Sequence, residues 1–352
     1  MQLAGGAGLA IIMIAAIAGP VGPGLSTAEG RSEQLVPQVS KSAKIVVTIY
    51  AGYAVAGAIA LWLAGMAPFD ALNHAFAAIS TGGFSTRPES IGYWSSGTVE
   101  AVVIVLMILG NLNFLTAYLL LQGKLKVVMR NGEVRIMAVL LPVSALICFW
   151  LVCGSLYATL DKQVRAAIFE TVSALTTTGF STVGYQNWNS IGFLLLITLM
   201  LIGGGTCSTA GGIKQYRIFV LFKSIVWDLR RALLPRTAVV ENFVWRGEQQ
   251  DFLNEARIRK VATFMVLYLM TYTLGAAVLA AQGYSLNESL FEFASAIGTV
   301  GLSIGITTAS SPPLVLWTEA CGMILGRLEF FVIIMGLVKI LRDMSAMVFW
   351  KR

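Results

Sequence analysis

Seven long apolar runs set the limits on what this chain can fold into. They lie near residues 1–19, 45–66, 98–122, 136–159, 191–225, 260–281 and 314–340. A helix needs roughly 20 apolar residues to cross a bilayer core, and open strand edges are not tolerated there. The fold class is therefore read as an all-α polytopic membrane protein. Composition agrees. Of 352 residues, 57% are hydrophobic and 12% charged, against about 25% charged in an ordinary soluble domain. That leaves too few charges to clothe a soluble enzyme, and so apolar a chain does not stay disordered. Residues 1–19 lack a basic start and run into a polar loop. They read as a membrane helix and not as a signal peptide.

Between the long runs lie three shorter apolar segments, 69–80, 164–177 and 288–298. Each is too short to cross and suits a re-entrant or buried helix. The basic residues sort around them. Arg87, Lys162 and Arg165 flank the short segments, 21 of the 25 Lys and Arg residues fall in the opposite loops and tail, and Arg327 stands inside the last run. The positive-inside rule places the short segments on the extracytoplasmic side. The net charge of +7 then belongs to membrane topology, and no nucleic-acid partner is expected. The cytoplasmic loop 226–257 mixes Arg230 and Arg231 with Asp228, Glu241, Glu248, Asp251 and Glu255. It reads either as a solvated linker or as a docking surface for a cytosolic partner.

A single histidine, His74, leaves little scope for acid–base catalysis, and no paired carboxylates lie within the runs. The chain is not expected to be an enzyme. Cys148, Cys153, Cys207 and Cys321 lie in apolar stretches without metal or disulfide spacing, and are read as buried free thiols.

The short segments end in an internal repeat. His74–Ser85, Glu170–Ser181 and Glu292–Ser303 align without gaps. All three share Ala78/Ala174/Ala296, Thr81/Thr177/Thr299, Gly83/Gly179/Gly301 and Ser85/Ser181/Ser303. One Thr-x-Gly would mark an ordinary turn, but three copies at one offset on one membrane side do not. The repeating unit reads as outer helix, short helix, Thr-x-Gly-(Phe/Leu)-Ser, inner helix. Irregular backbone at membrane depth is tolerated only where protein buries it or a wet cavity receives it. A glycine-containing stretch can aim successive carbonyls one way, and rings of carbonyls replace a cation's water shell. The partly negative C-terminal ends of the pore helices also favour a cation. The candidate filter residues are Thr81, Gly82, Gly83, Phe84; Thr177, Thr178, Gly179, Phe180; and Thr299, Val300, Gly301, Leu302.

Three further stretches carry a family resemblance: Leu63-Ala-Gly-Met-Ala-Pro-Phe-Asp-Ala71, Gly203-Gly-Gly-Thr-Cys-Ser-Thr-Ala-Gly-Gly-Ile-Lys214 and Gly326-Arg-Leu-Glu-Phe330. With the three filters, they make the chain resemble the Trk/Ktr potassium transporter family, and within it the TrkH-like pore subunits. The resemblance implies four units around a pseudo-fourfold pore, potassium as the transported ion bound at the filter, and no cofactor in this chain. It also implies a homodimer, a cytosolic nucleotide-binding regulatory subunit (TrkA-like) as partner, and a multi-pass place in the cell membrane, namely the bacterial inner membrane.

The stretch 203–214 lacks the Gly-Lys-Ser/Thr ending of a phosphate loop. Its small residues serve either close helix packing or a break in the inner helix. The resemblance implies a gate loop of Gly203, Gly204, Gly205, Thr206, Ser208, Gly211, Gly212 and Lys214. Arg327 is either a pore-facing barrier that touches this loop or a partner of Glu329. Asn111 and Asn113, at comparable depth, are either interhelical hydrogen-bond formers or cavity-lining groups. Glu170 and Glu292 share His74's repeat position and are expected to brace the pore helices near the mouth.

The units are expected at 45–122, 134–225 and 258–342, with 226–257 as the cytoplasmic loop and 1–19 as the inner helix of an incomplete first unit. That unit's pore loop is expected upstream. An inactive or assembly-only membrane subunit is the alternative this departure leaves open.

Overall fold

The computed structural model describes residues 5–6, 39–235, 242–247, 249–308, 310–327, 333, 336 and 338–343. Most of the expected helix 1–19, most of the last run beyond Arg327, Glu329, Glu241 and Glu248 lie outside the described residues.

One order of elements occurs three times. The first pass is α1 (Val39–Leu63), α2 (Pro68–Ile79), a Thr-x-Gly block, and α3 (Gly97–Asn111) leading into α4 (Phe114–Leu121). The second is α5 (Gly132–Cys148), α6 (Leu160–Leu175), the block, α7 (Ser190–Ile202) and α8 (Gln215–Leu233). The third is α9 (Glu255–Ala281), α10 (Leu286–Ile297), the block, and α11 (Pro313–Arg327). Local chemistry sets the starts. Pro68 opens α2, where its fixed φ suits the first turn. The side chains of Asn131, Asn189 and Asn254 accept backbone N–H bonds at the starts of α5, α7 and α9, and Ser285 with Glu288 forms a capping box on α10.

Among the described residues three single helices are long and apolar enough to cross a membrane: Ala43–Leu63, Gly132–Leu156 and Glu255–Ala281. They are the first helices of the three passes. The second of them continues α5 through a π-helical turn, Phe149–Cys153. Large side chains such as Trp62, Leu63, Trp150, Leu194, Leu274 and Trp317 point outward and exposed, as a surface solvated by lipid allows. One buried cluster joins Leu61, Ile79, Val103 and Met107 to Phe180 of the second block. Another joins Leu175 and Leu196 to Tyr268, Phe291 and Ile297. Both therefore cross from one pass to the next.

Four expectations need correction. The run 98–122 is not one continuous helix but two helices bent by 114°. Leu112 adopts an extended conformation and Asn113 caps α4 by accepting from Leu115 N, so two asparagines stop a helix that hydropathy alone would continue. The segment 164–177 is the end of a longer helix, whose first turns hold the polar Asp161, Lys162, Gln163 and Arg165. Cys321 is exposed, while the other three thiols are buried; it shares the outward face of α11 with exposed Leu314, Trp317 and Ile324. The loop 226–257 contains the end of α8 and an antiparallel hairpin, β1 (Phe243–Arg246) and β2 (Gln249–Phe252), pairing Phe243 with Phe252. Its Val244 packs with Val220, Trp227, Leu253 and Val261 in a small cluster, which gives the hairpin a reason to form.

Candidate ion pathway and gate

The three Thr-x-Gly blocks share one backbone shape. Thr81, Thr177 and Thr299 have φ of 48°, 52° and 53°, and Gly83, Gly179 and Gly301 have φ of 64°, 87° and 92°. A left-handed threonine costs about 1–3 kcal/mol, so its threefold recurrence marks a site where the surroundings impose strain. The imposing contacts are helix caps. Thr81 N donates to Ala78 O (3.1 Å) and Gly82 N to Ala77 O (2.8 Å), with the same pairs at Thr177/Thr178 and Thr299/Val300. This is a Schellman ending with threonine where glycine usually sits. It satisfies the pore-helix carbonyls and leaves those of the block free to point elsewhere.

The blocks interlock. A Cβ on Gly83 would overlap the Thr178 carbonyl, and one on Gly179 would overlap the Val300 carbonyl. A Cβ on Gly301 would meet no atom of the described residues within 4 Å. Phe180 and Leu302 are buried beside their blocks, whereas Phe84 is exposed.

Each block is tied back to its pore helix from one repeat position. His74 Nε2 lies 2.9 Å from Ser85 Oγ. Glu170 Oε1 accepts from Thr182 N (2.8 Å) and Thr182 Oγ1 (2.9 Å), and its other oxygen accepts from the Tyr185 hydroxyl. Glu292 accepts from Ser303 Oγ (2.6 Å) and Ile304 N (3.2 Å).

Directly inside these blocks lies the loop 203–214. It folds back on itself: Gly203 (φ 68°) and Gly212 (φ 78°) meet so closely that a Cβ on either would strike the other's Cα. Gly204 N donates to Gly211 O (3.2 Å), Ser208 Oγ to Gly205 O (2.7 Å), and Lys214 Nζ to Ala210 O. The loop reaches every block. Thr81 Oγ1 donates to Thr209 Oγ1 (3.1 Å), Gly211 N donates to Thr177 Oγ1 (2.6 Å), and a Cβ on Gly211 would overlap Thr299 Oγ1. Arg327 Nη1 donates to Thr209 O (2.8 Å) and Nη2 to Gly5 O (2.9 Å). Arg327 also lines a cavity of about 780 Å³ with Gly82, Thr299, Gly301, Glu292 and Glu319.

A family model described as TrkH, cation transport protein, matches residues 23–347. The chain belongs to the TrkH family of cation transport proteins. A TrkH potassium uptake protein of Escherichia coli K12 is 30% identical over 347 residues, covering 95% of this chain and 70% of the relative. An uncharacterized cation transporter of Methanocaldococcus jannaschii is 30% identical over 336 residues, covering 95% and 67%. The crystal structure of the potassium transporter TrkH from Vibrio parahaemolyticus superposes with a TM-score of 0.78 at 28% identity, covering 96% of this chain and 70% of that one. TrkH-family members are transporters and not enzymes, and this chain is a multi-pass membrane protein.

Within this TrkH-family chain the structure brings the twelve candidate filter residues and the loop 203–214 together, with Arg327 against the loop. Sequence reasoning left the role of Asn111 and Asn113 open, and missed Gln215 and Glu133 as parts of the loop's seat. Asn111 Oδ1 and its backbone carbonyl both accept from Gly205 N at 3.3 Å, and Asn113 Nδ2 donates to Thr206 Oγ1 at 3.4 Å. Both asparagines thus bond the loop. Gln215 Nε2 donates to Gly203 O (3.1 Å), and Glu133 accepts from Thr206 N (2.8 Å) and Thr206 Oγ1 (2.5 Å). Glu133 gave no separate signal, because an acidic residue in a helix's first turn ordinarily answers the helix dipole.

Proposed function

We propose that this chain carries potassium ions across a bacterial inner membrane. The path runs past the backbone carbonyls of Thr81–Phe84, Thr177–Phe180 and Thr299–Leu302, and the loop 203–214 with Arg327 gates it. The observation that carries this reading is the threefold Thr-x-Gly backbone, in which Gly83 and Gly179 seat against carbonyls of the next block, with one loop touching all three threonines. Dehydrating a cation needs a ring of such oxygens, and a positive guanidinium inside that ring opposes cation passage. The potassium uptake named for the relatives agrees with it. Each pass of helices is one unit about a pseudo-fourfold axis, with units at 45–122, 134–225 and 258–342. In this reading two copies associate, and a cytosolic nucleotide-binding subunit docks on the loop 226–257.

The test is rubidium uptake by potassium-uptake-deficient cells expressing the chain. Gly179→Val is expected to abolish uptake, read per amount of chain in the membrane. Uptake equal to that of the parent chain would overturn the proposal.

A further inference from the structure

Glu133 is a carboxylate in the first turn of α5, and it is 5% exposed. Neither of its bonds to Thr206 serves α5 itself; both reach across to the loop 203–214. A buried carboxylate needs such donors, because desolvating a charge without partners is costly. The dependence is mutual, since Thr206 N has no helical carbonyl to bond.

The surroundings fix the carboxylate's position. Asn131 Oδ1 accepts from Glu133 N (3.1 Å), while Asn131 Nδ2 donates to Thr116 Oγ1 (2.9 Å) and so ties the start of α5 to α4. Asn113, at the sharp bend into α4, reaches the same Thr206 hydroxyl. Glu133, Asn111, Asn113, Thr116 and Gln215 also line a cavity of about 10 Å³, about the size that admits one water. Thr206 is therefore clasped from two elements outside its own inner helix.

We propose that Glu133 is a positioning residue that latches the loop 203–214 beneath the filters, so that breaking its bonds to Thr206 frees the loop. The flux consequence rests on the gate reading above; the latch itself does not. The loop carries its own reporter in Cys207, which is 7% exposed and one residue from Thr206.

The experiment uses the full chain in liposomes with Cys148, Cys153 and Cys321 changed to serine. A membrane-impermeant thiol reagent on the cytoplasmic side reads the exposure of Cys207, and rubidium flux is read in parallel. Glu133→Ala is expected to raise the Cys207 labelling rate about tenfold, the equivalent of about 1.4 kcal/mol. Glu133→Gln, which keeps an acceptor oxygen, is expected to fall between. Thr206→Val attacks the latch from the other side and covers the case in which Glu133→Ala does not fold. The double variant should gain no more than the larger single one, because both remove one interaction. Unchanged labelling in the folded Glu133→Ala or Thr206→Val protein, or fully additive gains, overturns the latch. Faster labelling without faster flux supports the latch and overturns the gate.

Discussion

Thr182 donates twice to one oxygen of Glu170, through its backbone N–H at 2.8 Å and its hydroxyl at 2.9 Å. Glu170 is completely buried, so the pair holds the far end of the second Thr-x-Gly block to the pore helix from which the block springs. Removing the carboxylate strands three donors, counting the Tyr185 hydroxyl. An unsatisfied buried donor costs about 1–3 kcal/mol. Glu170→Ala is expected to lose at least about 2 kcal/mol, read as a lower Tm in detergent. Glu170→Gln, which preserves one acceptor, should lose less. Equal Tm values for the parent chain and Glu170→Ala would contradict the bracing role.

The three glycines of the Thr-x-Gly blocks should not be equally sensitive. All hold left-handed φ, where any side chain is strained, so each alanine variant should lose more than about 1 kcal/mol. At Gly83 and Gly179 the new Cβ also meets a backbone carbonyl of the next block, whereas at Gly301 none of the described residues stands in its way. Gly83→Ala and Gly179→Ala are therefore expected to fall below Gly301→Ala in Tm. The reverse order would mean that the interlocking is not what the block shape protects.

How much of this was legible beforehand depended on whether the signal was local. The repeated Thr-x-Gly was readable because three copies within one chain identify the constrained positions without any relative. The small-residue run 203–214 was readable as a break because so many glycines weaken a helix. The bend at Leu112 was not: the apolar run continues through it, and only the paired capping and long-range bonds of Asn111 and Asn113 explain it. Glu133 was hidden for a related reason. Its partner is 73 positions away, and no periodicity reports such a contact. The exposure of Cys321 was missed because an apolar run does not reveal which face of its helix meets lipid.

Arg327 is expected to restrain ion passage in two ways at once, by placing a cation at the inner end of the filters and by bonding the Thr209 carbonyl of the loop. The two contributions separate by substitution. Arg327→Lys keeps the charge but loses the planar fork that serves Thr209 O and Gly5 O together. Arg327→Gln loses the charge and keeps a donor. If charge dominates, rubidium flux from liposomes should rise about tenfold or more in Arg327→Gln, since one tenfold step is only about 1.4 kcal/mol of barrier, and stay low in Arg327→Lys. Equal flux in both would assign the restraint to the hydrogen bond instead.

Asp70 supplies the pH dependence. It lies in the first turn of α2, where Thr86 Oγ1 (2.7 Å) and Arg87 Nη2 (3.1 Å) donate to its two oxygens. The Thr86 hydroxyl foremost, and then the Arg87 guanidinium, hold its carboxyl below the usual carboxylate range against the opposing effect of burial. A carboxylate with a lowered folded pKa stabilises the fold above its unfolded value. That contribution fades as pH falls below about 3.9 and is gone below the lowered folded value. Thermal melts of the detergent-solubilised protein should therefore show the parent chain losing its advantage over Asp70→Asn as pH drops below about 4. The two should stay a constant interval apart between pH 5 and 7. A constant interval down to pH 2 would show that the Asp70 contacts with Thr86 and Arg87 do not depend on its charge.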